Sequence, residues 1–184
     1  MGGSASAYER ELKELLQADP DALARYARSM PPSDRPTLDG VRRAPFLVVR
    51  AAGSLGFDLV AMRSEFAFPL EVKASASDTI RFSAASGRAS AQLEAHRRAV
   101  QRVGLVILYA YRRVGRGHGE PWRLYAGGVG PSTGRYRVLN RWLPPVESTK
   151  EGNGVLRWAA GMPLSRFVSI IAELTEPGAG ASAP

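Results

Sequence analysis

The stretch Arg50 to Lys73 reads RAAGSLGFDLVAMRSEFAFPLEVK, and its two apolar runs decide the fold. Successive side chains of a strand point to opposite faces. Phe66, Phe68, Leu70 and Val72 therefore share one face, while Ala67, Pro69, Glu71 and Lys73 share the other, which becomes polar only at the end of the run. The run Phe57 to Met62 precedes it, separated by Arg63, Ser64 and Glu65 alone. So short a connection makes an antiparallel hairpin, which brings Asp58 near Glu71 and Lys73. Convergent carboxylates repel unless a hard cation lies between them, and oxygen ligands of this kind suit Mg²⁺ or Mn²⁺. A metal so held neutralises charge on a phosphoryl oxygen, and a nearby lysine orients water. The chemistry implied is phosphodiester hydrolysis.

Taken in order, ERE (Glu9 to Glu11), VVRAAGSLGFD (Val48 to Asp58) and LEVK (Leu70 to Lys73) resemble the archaeal-type Holliday junction resolvases of the PD-(D/E)xK nuclease superfamily. The resemblance implies a metal site built from Glu9 on an N-terminal helix, Asp58 after a Gly-Ser turn, and Glu71 and Lys73 of an E-x-K strand. It also implies a catalytic role for Ser54 within the turn, and DNA-contacting roles for Arg10 beside the helix glutamate and Arg50 before the turn. It covers residues 6 to 16 and 46 to 75, with a looser match of element order to about residue 126. It does not reach residues 18 to 44 or the C-terminal third, and Pro69 is unusual inside a strand. E-x-K alone is weak, because strand ends often carry an exposed Glu and Lys. In order with G-S-x-G-x-D it is far more specific. Only Lys13, Lys73 and Lys150 account for lysine among 25 basic residues, so a lysine at the motif position is not background.

With 184 residues, 45% of them hydrophobic and 23% charged, the chain has material for one globular domain. Residues 1–175 are expected to form it, with 18–45 inserted between the first helix and first strand, 127–175 as a C-terminal extension, and 176–184 as a disordered tail. A net charge of +8 and a pI near 10.4 favour an anionic partner, and the excess of arginine favours phosphate. From Ala95 to Val146 the single acid is Glu120, against ten arginines. Arg112, Arg113 and Arg116, in or beside a glycine-rich tip, are expected to reach DNA phosphate. The absence of cysteine excludes disulfides, thiolate zinc and cysteine nucleophiles, and fits a reducing, cytoplasmic setting. No secretory leader or long apolar span is present, so no membrane partner is expected. Gly127 to Gly134 lacks the Gly-Lys-Ser/Thr of a phosphate loop, so no nucleotide cofactor is expected either.

Periodicity predicts a helix from Ser6 to Gln17, with Tyr8, Leu12, Leu15 and Leu16 inward and both Glu9 and Glu11 on the borders of that stripe. Only the resemblance selects Glu9. A short helix follows Asp19-Pro20, and Met30 to Pro45 reads as a proline-rich loop, either plain surface or a DNA-contacting flap. Ala74 to Ser90 reads as a region with a loop, and Ala91 to Val103 as a helix. That helix carries His96 as a hydrogen-bonded core histidine and Gln92 as an auxiliary candidate near the metal. Leu105 to Tyr111 is a central strand, Trp122 to Ala126 its hairpin partner, Tyr136 to Leu143 a further strand, and Glu147 to Gly154 a loop. Pro163 opens a last helix whose apolar face, Leu164, Phe167, Val168, Ile171 and Leu174, covers either the core or a second subunit.

This order predicts an α/β (α+β) domain with a mixed central sheet flanked by helices, in agreement with the restriction-endonuclease-like core that the resemblance implies. The function it points to is a Mg²⁺-dependent, structure-selective endonuclease resolving four-way (Holliday) junctions by paired hydrolysis. The alternatives are another nuclease of the superfamily, acting on flaps, ends or duplex, and a non-catalytic module binding branched DNA. Paired nicks need two active sites, so a homodimer is expected, with part of its interface on Leu164 to Leu174, Trp142 and Trp158.

Overall fold

The computed structural model describes residues 5–51, 56–82, 88–115, 119–127, 133–150 and 153–175. The turn containing Ser54, the hairpin tip with Arg116, and the tail 176–184 lie outside the described residues. A six-stranded sheet forms the centre, in the order β1-β2-β3-β5-β6-β9. Strands β1 (Leu47–Arg50), β2 (Leu59–Arg63) and β3 (Phe66–Ser75) make an antiparallel meander. Helix α4 (Arg88–Val103) then carries the chain to β5 (Leu108–Arg113), which runs parallel to β3 with Leu70 opposite Leu108 and Lys73 opposite Tyr111. Strands β6 (Trp122–Ala126) and β9 (Met162–Pro163) complete the sheet, both antiparallel.

The expected alternation sorts the two faces. Phe66, Phe68 and Leu70 join Leu108, Ala110 and Leu124 in a core beneath α1 (Ala5–Leu16), α2 (Pro20–Ser29) and α6 (Leu164–Thr175). Tyr109, Tyr111 and Tyr125 point the other way, against Leu93 of α4 and a second sheet. That sheet has the order β4-β8-β7, from Thr79–Phe82, Gly154–Arg157 and Glu147–Ser148. Pro69 is tolerated inside β3 because of its orientation. The carbonyl of Leu70 faces β2, where it accepts from Asp58 N, so the nitrogen of Pro69 faces β5, whose pairing begins only at Leu70. Two residues earlier on that side, the Tyr136 hydroxyl accepts from Ala67 N (2.6 Å) and donates to Ala67 O (3.1 Å), closing the open end of the ladder.

Four sequence expectations are corrected. Tyr136 to Leu143 is not a strand but helix α5 (Gly134–Trp142) and its cap; the helix-spaced set Tyr136, Leu139 and Leu143 turns inward, and the alternating Val138 and Trp142 stay exposed. Glu147 to Gly154 is not simply a loop, and neither is the region after Lys73. Both contribute strands, and these short segments are strands because Thr79 pairs with Arg157 and Glu147 with Val155 across long sequence separations. Met30 to Pro45 is not a loop or flap but a 3-10 turn (Pro32–Leu38) and α3 (Asp39–Arg43), packed so closely on α6 that a Cβ on Gly40 would lie 3.0 Å from Ala172 Cβ. Finally, Leu164, Phe167, Val168 and Ile171 of α6 are buried in the chain's own core, so of the two coverings open to this face these four residues take the core, while Leu174 is only partly buried. Among the described residues no helix is long and apolar enough to cross a membrane.

Candidate active site

Asp58 stands just before β2, where the β2–β3 ladder ends. Its backbone N–H donates to Leu70 O (3.0 Å), and its side-chain Oδ2 accepts from Val72 N (2.7 Å), so the carboxylate continues the ladder by one rung. This fixes Asp58 beside the segment that carries Glu71. Among the described residues no hydrogen bond reaches the second oxygen, Oδ1.

Glu71 is buried on the face of β3 that looks toward the tyrosines of β5. Its Oε1 accepts from Lys73 Nζ at 2.5 Å; among the described residues its Oε2 is buried without a hydrogen bond of normal length, and the Gln92 amide lies close enough to favour the ionised carboxylate. Such an orphaned carboxylate oxygen is costly unless something outside the chain engages it. Burial pushes the pKa of Glu71 up; Lys73 opposes the shift, and the Asp58 charge adds to it. Burial also raises Asp58, against the hydrogen bond from Val72, with Glu9 repelling it and Lys73 attracting it. Both carboxylates thus resist ionisation when left to themselves.

Glu9 and Glu11, which periodicity could not separate, diverge. Glu9 forms an ion pair with Arg50 of β1, within electrostatic reach of Asp58, and Arg10 beside it is exposed. Glu11 instead accepts from Arg112 Nε (3.2 Å to each oxygen) and from Trp122 Nε1 (3.1 Å). Arg112 and Arg113 belong to β5 rather than to a free tip. Arg112 is held by Glu11 and lies over the Tyr8 ring, and Arg113 pairs with Asp78 at 2.8 Å and faces Trp158. Ser54 and Arg116 lie outside the described residues.

His96 is the hydrogen-bonded core histidine expected of it, and with Gln92 it forms a clamp behind Asp58 whose target the sequence did not show. His96 Nε2 lies 2.7 Å from Gly56 O, and Gln92 Nε2 donates to the same carbonyl at 3.0 Å. A carbonyl only accepts, so His96 carries its proton on Nε2 and its Nδ1 accepts from the Tyr109 hydroxyl at 2.8 Å. Burial lowers the pKa of His96, favouring this neutral form. Gly56 has φ +73, a conformation that favours glycine, so the clamp holds a residue where a side chain would be strained. The spacing of Gln92 and His96, one helical turn apart, was the available signal.

The donor set suits a hard divalent cation in part. Asp58 Oδ1 and Glu71 Oε2 each remain uncommitted, and hard cations prefer oxygen. Among the described residues, however, no three acidic or histidine side chains gather in metal-holding geometry, because Glu9 turns to Arg50. The sequence matches no protein-family model and no curated protein. Among solved structures, the chain is similar to the Holliday junction resolvase Hjc of the archaeal hyperthermophile Archaeoglobus fulgidus, with 17% identity, 73% of this chain and 91% of that one covered, and a TM-score of 0.46.

Proposed function

We propose that the chain is a metal-dependent DNA endonuclease whose substrate is a four-way junction. The observation that carries the catalytic part is the buried Glu71 carboxylate beside Asp58 and Lys73, whose Oε2 has no hydrogen bond of normal length among the described residues. Asp58 and Glu71 are the residues that would hold Mg²⁺ or Mn²⁺, and such an ion supplies neutralisation of phosphoryl charge. Lys73, anchored on Glu71 and only partly exposed, orients the attacking water. Glu9 assists from the rim if it leaves Arg50, and Arg10 and Arg50 meet the flanking phosphates. Ser54 supports the scissile phosphate, a role that rests on the sequence resemblance alone.

The net charge of +8 supports a polyanionic substrate, and the motif order resembling the junction resolvases supports a four-way junction. Paired nicks then require a homodimer, joined through a face other than that of α6. The test is cleavage of four-way junctions, flaps, duplex and single strands in Mg²⁺ by wild type and Glu71→Gln. Junction cleavage that disappears in the variant supports the reading. Equal cleavage of flaps and duplex would move it to a repair or restriction nuclease, and binding without cleavage to a branched-DNA-binding module.

A further inference from the structure

Trp142, the last residue of α5, is 52% exposed, whereas Trp122 is buried and Trp158 packs edge-on against Tyr111. An exposed indole leaves a large apolar surface in water, which is costly unless something covers it. The guanidinium of Arg166 lies over its ring at 5.6 Å, and Arg141 beside it is exposed. A groove of about 380 Å³ runs past these residues, lined by Arg141, Trp142, Pro144, Pro145, Pro163 and Arg166 among others, and no acidic side chain borders it among the described residues. Among the described residues neither arginine has a carboxylate partner, in contrast to Arg112 and Arg113, which are both tied down.

Two cations without counter-ions beside an open aromatic ring narrow the class of ligand. An apolar protein segment would use the indole and leave two guanidiniums desolvated and unpaired. A duplex backbone would use the guanidiniums and leave the ring idle, because its bases are already stacked. An unpaired nucleotide uses both, stacking its base on the indole and giving its phosphate to the arginine fork. We infer that this groove binds an unpaired nucleotide of a nucleic-acid strand, at a site separate from the carboxylates. The inference goes beyond the four-way-junction reading, since unpaired nucleotides lie beside duplex in flaps and gaps rather than in a fully paired junction.

The test measures binding alone, so that its failure is distinct from failure of the catalytic reading. Full-length Glu71→Gln protein in EDTA is titrated with a short oligodeoxythymidine and, separately, with a blunt duplex and with anionic lipid vesicles. Oligodeoxythymidine should quench the tryptophan fluorescence. Adding Trp142→Ala should weaken the single-strand affinity roughly 5- to 100-fold, the range for losing one stacked base, with duplex affinity unchanged. Trp142→Phe should retain most of the affinity, and Arg166→Ala should lower the log–log salt slope on the single strand by about 0.7. Single-strand affinity indifferent to Trp142→Ala, an equal loss on duplex, or stronger binding to vesicles than to oligodeoxythymidine would each overturn the inference. Cleavage persisting in Glu71→Gln would remove the catalytic reading and leave this result standing.

Discussion

Lys73 Nζ donates to Glu71 Oε1 at 2.5 Å while the other oxygen of the same carboxylate is buried without a hydrogen bond of normal length among the described residues. Residues two apart in a strand share a face, so β3 brings the pair together with no help from the rest of the chain. What the lysine leaves undone is the second oxygen. The unsatisfied half of Glu71 marks where stability has been given up.

Burial raises the pKa of Glu71 above its model-compound value of 4.5. Between 4.5 and the raised value the folded state holds a proton that the unfolded state has lost, so stability is fully present below that window and declines as pH rises through it. Glu71→Gln cannot ionise. Without metal, it should raise the melting temperature at neutral pH by on the order of 2–4 °C per kcal/mol relieved, and leave it nearly unchanged in acid below the window. A lower melting temperature at neutral pH would show that attraction to Lys73 outweighs the desolvation cost.

Asp58→Asn preserves an acceptor for Val72 N, so its fold should be intact while one uncommitted anionic oxygen is gone. Single-turnover cleavage should fall by at least about 100-fold, the upper end of what partners one shell further out contribute. Lys73→Ala should be comparably slow. Junction affinity measured in EDTA should change little in either, since phosphate affinity resides in the arginines. Wild-type cleavage in either variant would dismiss the site.

Phe167 stacks edge-on against Phe68 and is buried within its own chain. Phe167→Ala should cost about 3–5 kcal/mol in urea unfolding, with a loss that does not depend on protein concentration. A concentration-dependent loss would return α6 to an interface, because a dimer contact is subject to mass action. Light scattering on the wild type tests the dimer itself.

Arg112 and Arg10 should separate cleanly. Arg112→Ala strands Glu11 near Trp122 and should cost about 1.5–3 kcal/mol of stability with little change in the salt dependence of DNA binding. Arg10, exposed beside Glu9, should behave in the opposite way, its replacement by alanine reducing the log–log salt slope by about 0.9 on duplex arms. Salt titration and urea unfolding of the two variants distinguish a phosphate contact from a structural tie.

Local periodicity by itself determined the hairpin Phe57 to Lys73, the parity that puts Glu71 and Lys73 on one face, helices α1 and α4, and the buried strand around Tyr109. In each, side chains one or two turns apart, or alternate along a strand, must meet the same environment, and that requirement is written in the sequence. Tertiary structure alone decided that Glu9 turns to Arg50 while Glu11 turns to Arg112 and Trp122. Helical spacing places both on the border of one stripe, and only the neighbouring strands separate them. The same holds for β4, β7 and β8, which are too short to show alternation and exist through pairings such as Thr79 with Arg157. It holds too for α5, whose alternating residues suggest a strand. The helix-spaced Tyr136, Leu139 and Leu143 compete with them, and what decides is tertiary: Leu139 enters the core and Tyr136 closes the ladder at Ala67, 69 positions away in the chain.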